Sequence, residues 1–291
     1  MRILILGGDG MLGHQLLQYF ERRHETRATL RQDLLAYEAY GIFRAANSYD
    51  RVDVRSTERL GEVLADFRPN AVINAVGIVK QRPSAKDSIS SIEVNALFPH
   101  RLAVQTRALG ARLVHVSTDC VFSGNKGRYT EDDVPDATDL YGRTKLLGEV
   151  SEGHCVTLRT SIVGLELARR ASLIEWYLAQ QGAIRGFDKA IYSGLTTIET
   201  ARLIDRVLVD HLDLSGIWHV ASAPISKYEL LKRLTEKLGR KDVVVERARE
   251  FVCDRSLDAN RFRQRTGYVA PSWDAMLDEL AQQIRERREA I

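Results

Sequence analysis

The stretch "LILGGDGMLGHQLLQYF", residues 4–20, constrains this chain more than any other. The preceding "RILIL" is a short apolar run that reads as a buried strand, and "MLGHQLLQYFERR" repeats its apolar residues at helical spacing. Between them Gly8, Gly10 and Gly13 form G-x-G-x-x-G, and Gly7, Gly10 and Gly13 form G-x-x-G-x-x-G. The early glycines permit a tight turn and close approach of a pyrophosphate to the backbone. The last lets helix and strand pack closely, and the helix N-terminus offers amide donors. Without its context the pattern is a generic strand-to-helix turn. Following a first strand and opening a helix, it predicts a dinucleotide cradle that includes Met11 and Leu12.

Strand-like and helix-like patterns keep alternating. "TRATLR", "NAVINAVG", "ARLVHVST" and "CVTLRTSIVG" read as strands, with helices over "STERLGEVLADF", capped by Ser56, and "SIEVNALFPHRLAVQTRALG". This rhythm predicts an α/β fold, a doubly wound parallel (Rossmann) sheet. Beyond residue 165 the rhythm loosens, with helices expected at 172–181, 196–212, 226–238 and 272–288 and strands near "GIWHV" and "DVVVE". We expect residues 1–165 to form the nucleotide-binding domain, recruiting segments near 190–220. Residues 166–291 would mainly form a small α/β substrate-binding lobe.

Composition excludes several classes. A net charge of +3, with basic residues spread along the chain, gives no footprint for nucleic acid. No run approaches a membrane span, and no signal peptide is recognised. Cys120, Cys155 and Cys253 lack paired spacing, and the seven histidines form no helical metal pair, so no metal site is expected. A cytoplasmic protein with reduced thiols is the expectation. The oligomeric state is not set by sequence, and a homodimer is admitted.

The end of the second strand distinguishes cofactors. A carboxylate there suits the ribose of NAD, whereas an arginine suits a 2′-phosphate. "TRATLRQD" presents Arg31, with Asp33 two residues later, and this favours NADPH while leaving NADH open. Asp53 and Val54, in "RVDV", are candidates for the adenine edge, although Asp53 equally reads as a turn or cap residue.

"VHVSTDCVFSG" ends a strand in Ser117, Thr118 and Asp119, and downstream "DLYGRTKLLGE" sets Tyr141 one helical turn before Lys145. Tyrosine beside lysine is by itself a snorkelling lysine against a half-buried tyrosine. With a strand-end hydroxyl and a cradle for nicotinamide dinucleotide it becomes a hydride-transfer constellation. The phenol exchanges a proton with the substrate oxygen, and the threonine orients that oxygen. The lysine cation is expected to lower the phenol from its usual value near 10 and to reach the nicotinamide ribose.

The motifs "GGDGMLG", "INAVG", "VNA", "STDCVFSG", "YTEDD", "YGRTKLLGE", "LRTSIVG" and "GLTTIETA" come in the order seen in extended short-chain dehydrogenase/reductases. The chain most resembles their dTDP-4-dehydrorhamnose reductase (RmlD-like) branch, which reduces 4-keto-6-deoxy sugar nucleotides, and "DRSLDANRF" (254–262) is a weaker match to its C-terminal segment. The resemblance implies a catalytic triad of Thr118, Tyr141 and Lys145, and a cofactor passage along Asn74, Ala75, Val76 and Gly77. It also implies a nucleotide-sugar substrate near Asp119, Val121 and Arg255. "AVGIVKQRPSAKDSIS" departs from the branch by placing Lys80, Arg82 and Lys86 toward the mouth of the site, where Lys80 and Arg82 are expected to meet substrate. Two alternatives stand beside the reductase. One is a sugar-nucleotide 4-epimerase with bound NAD. The other is a non-catalytic NADP-binding regulatory subunit.

Overall fold

The apolar runs of the first two thirds become the strands of one parallel sheet. The computed structural model describes residues 1–79, 87–168 and 170–289. Its first half runs β1 (Arg2–Leu6), α1 (Met11–Phe20), β2 (Glu25–Thr29), β3 (Ser48–Tyr49), α2 (Thr57–Phe67) and β4 (Ala71–Asn74). Next come α3 (Ser88–Ser91), a π-helical stretch Ile92–Leu97, and α4 (Phe98–Ala108). Then follow β5 (Arg112–Val116), α5 (Leu140–Leu147), β6 (Cys155–Arg159), β7 (Ile162–Val163) and α6 (Leu173–Leu178). The remainder comprises β8 (Gly182–Phe187), β9 (Ala190–Tyr192), β10 (Leu195–Thr196), α7 (Thr197–Val209), β11 (Gly216–His219), β12 (Ile225–Ser226) and α8 (Lys227–Leu238). The last elements are β13 (Val243–Ala248), β14 (Cys253–Asp254), α9 (Asn260–Thr266) and α10 (Trp273–Glu289).

Seven strands pair in the order β3-β2-β1-β4-β5-β6-β11, and every pair is parallel. The order reverses between β1 and β4, which opens a crevice at the carboxyl ends of the strands. Register aligns those ends: Leu6 lies opposite Asn74, Asn74 opposite His115, and Val116 opposite Leu158. Chain leaving each strand therefore enters the same crevice.

Both faces of the sheet are covered, so its central strands are apolar on both sides. Ile3 and Ile5 face a core shared with Leu16, Phe20, Ile204 and Leu280, while Leu4 and Leu6 pack with Leu60, Leu64 and Leu102. The α2 helix starts where Ser56 accepts a bond from the Arg59 amide and stops at Arg68, in a left-handed conformation before Pro69. Residues beyond 165 contribute to the same sheet through β11, and α7 packs against α1. The strand expected at "DVVVE" pairs in parallel with β8, while β9 joins β12 and β14. Among the described residues no helix is long and apolar enough to cross a membrane.

Candidate active site

The glycine loop is shaped by its own backbone contacts. Gly7 adopts φ +82, which a glycine accepts without strain, and its carbonyl receives the Gly10 amide at 3.0 Å. A Cβ on Gly13 would overlap that same carbonyl, so α1 can approach the turn only with glycine there. A cavity of about 140 Å³ opens beside this loop. It gathers eight of the residues expected to meet a cofactor, from four strand ends: Gly7 and Gly10 after β1, Arg31 after β2, Asp53 and Val54 after β3, and Ala75, Val76 and Gly77 after β4.

Others take supporting places. Leu12 is buried in the core and Gly13 lies under the turn, while Met11 opens α1. Asn74 is fully buried; its amide nitrogen bonds His115 at 3.0 Å, and its carbonyl oxygen holds the Val76 amide at 3.1 Å. It shapes the loop from beneath and does not line the cavity. Sequence reasoning missed Asp9, Thr29, Arg55, Ile78 and Val94, which also line it. Of these, Arg55 carried a local signal, because it follows Asp53 by two residues. Its guanidinium bonds both Asp53 oxygens, at 3.0 and 3.1 Å, and holds that carboxyl below its usual range, with Arg31 adding to the effect. Asp33 is occupied elsewhere: it pairs with Arg51 and caps the helical turn at Leu35.

At the end of β5 the chain turns into Thr118, which is buried, with its hydroxyl accepting the Cys120 amide at 3.1 Å. Tyr141 sits in the first turn of α5, and its phenol meets the Thr118 hydroxyl. Asp139 caps this helix by accepting the Gly142 amide at 2.9 Å. Gly142 lies against the Cys120 carbonyl, and a Cβ there would also stand 2.6 Å from Ala137 Cβ. One turn further on, buried Lys145 donates from Nζ to the Val116 carbonyl at 2.8 Å. The glycine between the two side chains thus permits the close seat of α5 that brings both to the strand end.

The electrostatics correct one expectation. Burial pushes the Tyr141 phenol above its usual value, with a further rise from Cys120, and the Thr118 bond opposes this only in part. Desolvation outweighs any acidifying influence of the lysine. Burial also brings Lys145 down to about 8, against the opposing pull of Glu149. At neutral pH the phenol holds its proton and the lysine its charge.

Asp119 is buried, and that burial raises its carboxyl above the usual range despite the nearby Arg255. Arg255 donates from Nε to the Phe122 carbonyl at 2.8 Å. Val121, expected at the substrate, is instead fully buried with Phe122, Tyr129 and Leu257, because the turn after Asp119 folds its apolar side inward. Lys80 and Arg82 lie outside the described residues.

Two further clusters came from the fold alone. Ser117, Glu149, Arg159 and His219 form a buried polar chain at the ends of β5, β6 and β11. Glu152, His154 and Cys155 lie within 4.8 Å of one another. The Glu152 carboxylate pairs with Arg107, and His154 Nε2 bonds the Ala103 carbonyl at 2.9 Å. Burial lifts the Cys155 thiol to about 12, so it keeps its proton at neutral pH.

Known proteins share this architecture. Over 152 residues the chain is 31% identical to methionine adenosyltransferase 2 subunit beta of Rattus norvegicus, covering 51% of this chain and 41% of that protein. The chain thus spans less than half the length of that relative. It is 26% identical over 239 residues to the dTDP-4-dehydrorhamnose reductase of Aggregatibacter actinomycetemcomitans, covering 78% of this chain and 76% of that one. The dTDP-4-dehydrorhamnose reductase of Bacillus anthracis, solved in complex with NADP, shares the fold. It superposes with a TM-score of 0.78 at 21% identity, over 97% of this chain and 99% of that one. The family described as RmlD substrate binding domain matches residues 1–286, and the chain belongs to that family.

Proposed function

We propose that this protein is an NADPH-dependent reductase of the 4-keto group of a 4-keto-6-deoxy sugar nucleotide. The single observation that carries the reading is the meeting of Thr118, Tyr141 and Lys145 at the carboxyl end of β5, in the crevice that also holds the glycine cradle. The turn supports a dinucleotide cradle: Gly7 and Gly10 border the cavity, and a side chain on Gly7 would crowd Val76 on its far wall. Two arginines, Arg31 and Arg55, border that cavity, and Asp33 is withdrawn from it, a combination that supports a 2′-phosphate over a free ribose hydroxyl.

When bound, the cofactor would supply hydride to the sugar carbonyl carbon. The chain's own part is proton chemistry and alignment. Thr118 would orient the carbonyl oxygen, and Tyr141 would donate its phenolic proton to the alkoxide. The raised phenol suits a donor that must be protonated before each turnover. Lys145 would supply positive charge beneath the developing phenolate and bind the ribose. Asp119 and Arg255 act on each other after the turn that follows Thr118, and a nucleotide-sugar would sit beside them.

A second reading is a non-catalytic NADP-binding subunit, favoured by the 31% identity to methionine adenosyltransferase 2 subunit beta. The test is NADPH oxidation with a panel of 4-keto-6-deoxy sugar nucleotides. Turnover on a panel member is expected. Tight NADPH binding with no turnover on any would replace the reductase with the binding subunit.

A further inference from the structure

A buried ion pair that the proposed reaction does not use stands directly behind Lys145. Val116 and Ser117 lead out of β5. The carbonyl of Val116 accepts from Lys145 Nζ at 2.8 Å, and the Ser117 hydroxyl donates to Glu149 Oε1 at 2.7 Å. Glu149 follows Lys145 by four residues, just past the end of α5. Arg159, at the end of β6, donates to it from Nε at 2.8 Å and from Nη2 at 2.7 Å. The two side chains are only 6% and 3% exposed. Beyond them His219 Nε2 lies 3.3 Å from Arg159 Nη1, and its Nδ1 lies 3.0 Å from the Tyr129 carbonyl.

A buried pair of this kind is seldom the most stable solution, since well-packed apolar residues of equal volume often do as well. Its position suggests another use. The charged and titratable groups tied to Lys145 are Glu149 just past α5 and His115 from β5, with Tyr141 one turn earlier on α5 and Arg159 of β6 reaching it through Glu149. His115 is fully buried and held neutral, and Glu149 is the carboxylate whose charge acts on the ammonium.

We propose that Glu149 and Arg159 are positioning residues that set the charge of Lys145. Glu149 keeps the ammonium protonated, while Arg159 limits that effect and anchors Glu149 to the end of β6, beside the β5 end that Lys145 grips. This deepens the reading of Tyr141 and Lys145 as the working pair and rests on it. Burial already brings Lys145 to about 8 with the pair intact, so its charge near neutral pH is sensitive to the carboxylate of Glu149.

The test follows the Lys145 ammonium itself, by NMR titration of lysine-labelled protein with Lys145→Arg assigning the signal, alongside the pH dependence of NADPH binding. Glu149→Gln leaves a bare guanidinium, and the Lys145 midpoint is expected to fall by about one pH unit, with NADPH affinity failing at correspondingly lower pH. Arg159→Met removes the opposing charge, and the midpoint is expected to rise. The double variant Glu149→Gln, Arg159→Met should return close to the wild-type midpoint. Should Glu149→Gln fail to fold, the rise in Arg159→Met and the return in the double variant still decide. Midpoints that stay fixed, or move the same way in both single variants, would overturn the proposal, since a merely structural pair produces no opposite shifts. The titration needs no sugar substrate, so its failure is distinct from failure of the reductase reading.

Discussion

Replacing Gly142 by alanine is a sharp test of how α5 is seated. A Cβ at this position would lie 2.6 Å from Ala137 Cβ and overlap the Cys120 carbonyl. Carbon atoms in contact normally sit about 3.5–4.0 Å apart, so the first turn of α5 must retreat by about 1 Å. That retreat moves Tyr141 away from Thr118 and Lys145 away from the Val116 carbonyl. A misplacement of this size costs about 100-fold in turnover. Its effect on stability is smaller. Overpacking costs about 1–3 kcal/mol, and the better helix propensity of alanine offsets up to about 1 kcal/mol of it. The assay pairs urea denaturation with NADPH binding and NADPH oxidation on the same preparation. We expect turnover to fall far more than NADPH affinity, since the glycine cradle is untouched. An alanine variant as active as the wild type would refute the view that this glycine sets the position of the pair.

Other predictions follow from the same geometry. Arg31→Ala should weaken NADPH binding by about 10-fold, equivalent to ~1.4 kcal/mol, and leave NADH affinity unchanged; equal losses for both would remove Arg31 from the 2′-phosphate site. The alkaline limb of NADPH-dependent activity should fall near pH 8, where Lys145 loses its proton, and Lys145→Arg should move that limb upward. His219 is held neutral down to about 4 by burial and by the Arg159 guanidinium. The unfolded chain binds this proton below about pH 6.5, so stability contributed by His219 is present above that pH and is lost as pH falls toward 4, by about 3 kcal/mol. Urea denaturation at pH 7 and 4.5 should therefore show a smaller acid loss for His219→Gln than for the wild type.

The parts of this molecule legible in the sequence are those whose signal is local. Gly7, Gly10 and Gly13 announce a cradle because turn, strand and helix are contiguous, and Tyr141 and Lys145 share a helix face within one turn. Parallel pairing is not local. The match of β8 to β13 joins Gly182 to Val243, and β11 reaches the sheet from residue 216, so neither partner could be read from its own neighbourhood. Burial likewise decided Val121, which looks like any apolar residue near a site until Phe122, Tyr129 and Leu257 close around it. The acidifying role expected of Lys145 failed for a related reason: desolvation of the phenol depends on what surrounds it, which spacing along the chain does not reveal.

The most direct test of the account is turnover by Tyr141→Phe, measured as NADPH oxidation with a 4-keto-6-deoxy sugar nucleotide that the wild type reduces. Removing the hydroxyl deletes the proton donor and leaves the cradle intact. Turnover is expected to drop by at least about 100-fold, with NADPH affinity close to that of the wild type. Near-normal turnover in the phenylalanine variant would contradict the assignment of Tyr141 as the proton donor.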